Sequence, residues 1–165
     1  MKGIRFTLFE LVFVIATIAL LVGFLLQNLS SNCNATGSRI KCSANLKQIG
    51  LAQLMYSGDY DGYFTVDTGN PSSNFASLNK LSLLVNGKVY ACPLSSAPST
   101  FASASNYAYI GSGLRDDDSN PTENSLAYDK SGNHPGNEWV NTLFIDGHVQ
   151  GAKADSKDWA RNNSP

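Results

Sequence analysis

The chain has 165 residues, three of them cysteine, and its twelve basic and thirteen acidic side chains leave a formal net charge of −1. That length holds one domain of ordinary size, or a smaller domain plus a membrane segment. The seven basic residues beyond position 57 are never adjacent and face twelve acidic ones, which excludes a concentrated phosphate-binding face and with it nucleic acid as a partner.

The N-terminal stretch FTLFELVFVIATIALLVGFLL is apolar from Phe6 to Leu26, with Thr7, Glu10 and Thr17 as its polar interruptions. As a helix rising about 1.5 Å per residue it reaches roughly 31 Å, close to the hydrocarbon thickness of a bilayer. Lys2 and Arg5 precede it and no basic residue follows before Arg39, so the positive-inside bias places the N-terminus in the cytoplasm and the rest outside. A cleavable secretory signal would have a shorter, uncharged core and a small-residue cleavage site, which QNLSSNCNATG does not offer. A carboxylate within such a run costs about 2.5 to 3.5 kcal/mol on insertion scales, which marks Glu10 as a functional candidate.

Beyond the run, Asn and Ser in QNLSSNCNATGSR compete for backbone hydrogen bonds and weaken a helix without ending it. Helical periodicity returns with Cys42, Leu46, Ile49, Gln53 and Tyr56, flanked by Ala52, one largely apolar stripe. The expectation is a single stem helix from Thr7 to about Tyr56, loosened between Asn28 and Ser38. SGDYDGY stops it, with Gly58 and Gly62 as terminators.

Residues 57–165 are rich in Ser, Asn, Gly and Thr, with β-prone pieces at Lys88–Ala91, Tyr107–Ile110, Val140–Ile145 and His148–Gly151. Asp146-Gly147 between the last two reads as a two-residue type I′ hairpin turn. The stem's stripe needs a cover, and a small antiparallel sheet packed on the helix's C-terminal half provides one, giving an α+β fold. All three cysteines fall on the outer side, where disulfides persist, and an odd number leaves one over. The gap between Cys33 and Cys42 matches no usual zinc spacing, so no metal site is expected from these thiols.

The segment FTLFELVFVIATIALLVGFLL resembles the N-terminus of type IV pilins and type II secretion pseudopilins. CSANLKQIGLAQLMYSGDYDGYF, VYACP and LFIDGHV are similar to pseudopilin-like proteins with a processing-associated His-to-Asp-Gly tail, and the blocks together cover about half the chain. The resemblance implies a basic leader at 1–5, a transmembrane and filament-core helix at 6–27, its amphipathic continuation at 28–56 and an extracytoplasmic head at 57–165. It implies a prepilin peptidase that cuts between Arg5 and Phe6, N-methylation of Phe6, and residence in the bacterial inner membrane. An assembly platform would then extract the subunit into a helical homo-oligomeric filament, periplasmic or extracellular, alongside other pilin-like subunits. Glu10 would be the assembly residue, its carboxylate pairing with the cationic amine of Phe6 in the same chain or a neighbour's. A pseudopilin is favoured over a surface pilus subunit.

Arg5 stands where the family most often has glycine, Gln27 where many pilins have proline, and eleven residues, not nine, separate His134 from Asp146. Cys42 and Cys92 read as a stem-to-head disulfide, with two buried thiols as the alternative; Cys33 is then free or intermolecular. The oxygen-rich loop Asp116 to Asn124 is a candidate calcium site, against the plainer reading of a solvated turn without EF-hand spacing. His134, His148 and Asp146 lack the companions of a catalytic centre, so a structural, non-enzymatic protein is expected, with no catalytic or cofactor-binding residues. The rival from another class is a non-polymerising, membrane-anchored extracytoplasmic enzyme or ligand-binding domain.

Overall fold

The computed structural model of the chain describes residues 7–66, 74–130, 132–134, 136 and 138–154, with their side chains except those of 27–35 and 103. The first element, α1 (Leu8–Asp59), is a helix of 52 residues whose backbone is helical throughout the Asn- and Ser-rich stretch. The chain divides into two compact units, Met1–Gly37 and Ser38–Pro165.

In the first unit, Leu8–Leu26 is long and apolar enough to cross a membrane, and none of it is buried. Leu8 and Phe9 are each 81% exposed and Leu20 76%. Within it the Thr17 hydroxyl donates to the Val14 carbonyl at 2.8 Å, which satisfies a polar group inside the helix itself and lowers its cost in apolar surroundings.

The second unit is α+β. The last turns of α1 are joined by a short helix, α2 (Asn74–Lys80), and by strands β1 (Tyr107–Tyr109), β2 (Ser125–Asp129), β3 (Trp139–Phe144) and β4 (Val149–Lys153). The strands form one antiparallel meander in the order β1-β2-β3-β4. The predicted stripe faces this sheet: Cys42, Leu46, Ile49 and Gln53 are fully buried, Ala52 nearly so, and Tyr56 half-buried. They share a core with Phe64, Phe75, Leu78, Tyr90, Tyr107, Leu126, Leu143 and Ile145. At Gly50 an added Cβ would fall 2.6 Å from Leu143 Cδ1, so glycine there lets β3 lie close against the helix. Fully burying a Leu or Ile side chain contributes about 1.5 to 3 kcal/mol, which makes this stripe a principal anchor of the sheet.

Several local expectations are corrected. Gly58 lies inside α1, and the helix stops instead where Asp61 (φ 52°) and Gly62 (φ 83°) turn left-handed and the Gly62 N–H donates to the Ser57 carbonyl. Lys88–Ala91 is not a strand: Gly87–Tyr90 forms a 3-10 turn, because the Asn86 side chain accepts from the Lys88 N–H and caps it. The hairpin turn is not type I′. The Phe144 carbonyl accepts from the Gly147 N–H and positive φ occurs at Gly147 alone, a type I turn closed by a left-handed glycine. Ile145, fully buried at a central turn position, is β-branched and disfavours the positive φ that type I′ demands. α2 and β2 were not foreseen.

Candidate functional site

Arg5 and Phe6 lie outside the described residues, and so do the expected leader cut and methylation. Glu10 sits in the first turn of α1 with its side chain exposed; its N–H and that of Leu11 donate to the Thr7 carbonyl at 3.1 and 3.2 Å. A carboxylate at a helix N-terminus also complements the positive end of the macrodipole. Farther along, Ala16, Ala19 and Gly23 open a groove bordered by Leu20 and Phe24.

The second unit brings together four fully buried side chains from four places in the chain. Cys42 on α1 is disulfide-bonded to Cys92, just past the 3-10 turn, with Cα atoms 5.4 Å apart. Asp129 ends β2, and His134 returns from the short loop that follows it. His134 Nε2 lies 2.9 Å from Asp129 Oδ2, and both side chains are 1% exposed. The same carboxylate oxygen accepts from the backbone N–H and the side-chain amide of Asn141, each at 2.8 Å, while Asn133 Nδ2 reaches Oδ1 at 3.4 Å. His134 Nδ1 is buried and has no hydrogen-bond partner among the described residues. Nearby, Asn45 donates to the Tyr107 hydroxyl, whose pKa is raised by burial above all, and by the Asp129 charge, against that hydrogen bond. Lys130 donates to the Ser105 carbonyl at 2.8 Å, and burial lowers the pKa of its ammonium.

His134 thus pairs with Asp129, not with Asp146. Asp146 instead meets His148, whose ring Nδ1 is 2.6 Å from Asp146 Oδ1 and whose ring stacks on Phe144 with centroids 4.3 Å apart. This pair is partly exposed and caps its own turn, since the His148 N–H also donates to Asp146 Oδ1 at 2.9 Å.

In the candidate calcium loop the three aspartates turn to different partners. Asp116 accepts from the Ser57 hydroxyl, Asp117 from Nε and Nη2 of Arg115, and Asp118 from the Arg115 backbone N–H. The bond to Arg115 holds the Asp117 carboxyl below its usual range, and an arginine among the carboxylates opposes a cation. Among the described residues the group with converging donor atoms is Cys42, Cys92, Asp129 and His134, not Asp116 to Asp118.

Sequence reasoning passed over Asp129. The available signal was AYDKSGNH, an aspartate at the end of an apolar stretch, then a Ser-Gly turn and a histidine five positions on. Comparison of the chain with protein-family models, with curated proteins and with solved structures finds no match in any of the three.

Proposed function

We propose that the chain is a structural subunit, a pseudopilin or pilin, that waits in the bacterial inner membrane with its N-terminus cytoplasmic. From there it assembles through its N-terminal helix into a helical extracytoplasmic filament. The observation that carries this reading is the Leu8–Leu26 segment, wholly unburied, apolar on every side and interrupted by one carboxylate in its first turn. A helix apolar all round requires either lipid or other helices around it, and a lone glutamate in it requires a cationic partner.

Two further features support assembly. The groove at Ala16, Ala19 and Gly23 presents small residues that allow another helix to approach closely. In the second unit the face of α1 turned away from the sheet keeps Ile40, Leu51 and Met55 exposed at 64, 62 and 52%, at spacings that return to one side of a helix. A neighbouring stem would cover them.

The test compares Glu10→Val and Glu10→Gln with the wild type at matched expression, in cells that carry a prepilin peptidase. The wild-type mature chain should begin at Phe6 and appear in sheared filaments. Glu10→Val should insert at least as well, since the run loses a carboxylate, but should be depleted from filaments; Glu10→Gln should fall between. Equal incorporation of Glu10→Val would remove the assembly role, and an intact Met1 with no filaments would favour a membrane-anchored protein that does not polymerise.

A further inference from the structure

We propose that, once its disulfide is reduced, the Cys42 and Cys92 pair joins Asp129 and His134 in a buried site for one divalent cation of the zinc type. The bridge and the bound ion are then alternative states of one centre, and each ties α1 to the rest of the second unit. The inference does not rest on the filament reading.

Geometry is the first support. One donor atom from each of the four residues lies within 4.8 Å of every other. Zinc bonds of about 2.0 to 2.3 Å place tetrahedral ligands roughly 3.3 to 3.8 Å apart, so the more distant donors need to close by about an ångström, and the two sulfurs, freed from their bond, need to open from about 2 to about 3.8 Å. Two sulfurs, an imidazole nitrogen and a carboxylate oxygen form a set that zinc takes readily, whereas calcium and magnesium demand oxygen throughout.

His134 is the second, independent observation. Its side chain is 1% exposed and Nδ1 has no hydrogen-bond partner among the described residues, a bare position that a protein interior rarely leaves. Asp129, whose carboxylate would be a ligand, is already held in place by Asn141 and Asn133 and lies 2.9 Å from His134 Nε2.

The chemistry balances with a dithiol as reductant. One of its thiolates attacks a sulfur of the Cys42–Cys92 bond, its second sulfur closes to release the protein, and two electrons reduce the bridge as the reagent becomes a disulfide. The reagent's two protons end on Cys42 and Cys92. A divalent cation then displaces both, giving two thiolate–metal bonds and two protons released per ion bound.

The experiment uses the full chain in detergent with Cys33→Ala, which removes the third thiol. One sample keeps its disulfide; the other is reduced by excess dithiol, which is then removed under argon, and Co2+ is titrated into both. The reduced chain should bind one cobalt, with thiolate-to-cobalt charge transfer and tetrahedral ligand-field absorption, release two protons, and protect Cys42 and Cys92 from alkylation. Zn2+ should bleach the spectrum, and the oxidised chain should bind none. His134→Gln and Asp129→Asn should each weaken binding by about tenfold or more. Equal uptake by oxidised and reduced chains overturns the proposal, as does a spectrum without thiolate charge transfer or a reduced chain whose fold is lost and not restored by cobalt. Should the two variants fail to fold, the comparison of the two oxidation states decides alone.

Discussion

The two ends of α1 carry apolar surface in different ways. From Leu8 to Leu26 every apolar side chain is exposed and the apolar residues lie on all sides. From Ser38 to Asp59 a stripe of them is covered by Phe64, Tyr107, Leu126 and Leu143, while Ile40, Leu51 and Met55 stay exposed. The difference teaches that apolarity alone does not say where a segment is buried. Periodicity does: a stripe asks for one partner on one side, and a helix apolar all round asks for a surrounding medium.

The strongest way to sharpen this contrast is to remove the bridge. Cys42 and Cys92 stand 50 positions apart, and on the chain-entropy model such a cross-link stabilises by roughly 4 kcal/mol. With chelator present to keep metal away, Cys42→Ala with Cys92→Ala should shift the urea transition of the second unit by about that amount. Membrane insertion of Leu8–Leu26 should not change. A shift below about 1 kcal/mol would mean that the unfolded chain is already held compact by other means.

A matched pair of truncations comes next. Leu46→Ala, in the covered stripe, should cost about 3 kcal/mol, because the methyl groups leave water-free contacts and a cavity behind. Leu20→Ala, 76% exposed, should lie within about 0.5 kcal/mol by the same measurement on the second unit. Equal effects would erase the distinction between the two halves of the helix.

What the sequence made legible follows the same contrast. The apolar run is legible by its length and the stripe from Cys42 to Tyr56 by its helical period, each repeated over several turns, and both lie within α1. β1, β3 and β4 were visible as short β-prone runs near their observed bounds. β2 was not, because in SLAYD only Tyr128 is a strong β former and Ser125, Ala127 and Asp129 are weak ones. The 3-10 turn at Gly87–Tyr90 hid because one side-chain cap from Asn86 outweighed the β preference of Val89. The buried group of Cys42, Cys92, Asp129 and His134 was beyond any spacing rule, since the two cysteines and the local Asp129–His134 pair come from three distant parts of the chain. The Cys42–Cys92 pairing was anticipated through family resemblance, not from spacing.

A smaller effect is expected at Gln53, a polar residue on the covered stripe. Its Nε2 donates to the Thr65 hydroxyl at 2.8 Å and its Oε1 accepts from the Thr65 N–H at 3.3 Å, fixing the chain just after the helix stop. Gln53→Leu keeps the bulk but leaves the buried Thr65 N–H unpaired, which should cost about 1 to 2 kcal/mol. If the stripe required only apolar volume, the variant would be as stable as the wild type or more so.

The smallest predicted effect belongs to Asp146, at the surface turn joining β3 and β4. Partial burial pushes its carboxyl upward, but the His148 backbone and ring hydrogen bonds, the His148 charge and the charge of Lys47 outweigh it, so its pKa is lowered. A folded value below the unfolded one, near 3.9, means the native state binds fewer protons as acid is added. The contribution is therefore fully present above about pH 4 and is lost as pH falls through the folded value. Because the pair is partly solvated, its size should be a few tenths of a kcal/mol, the scale of exposed ion pairs. Asp146→Asn keeps an Asn-Gly turn and removes the charge. Urea midpoints of the two proteins should differ above about pH 5, where Asp146 is ionised, and converge below about pH 4. Divergence on acidification would reverse the sign assigned here.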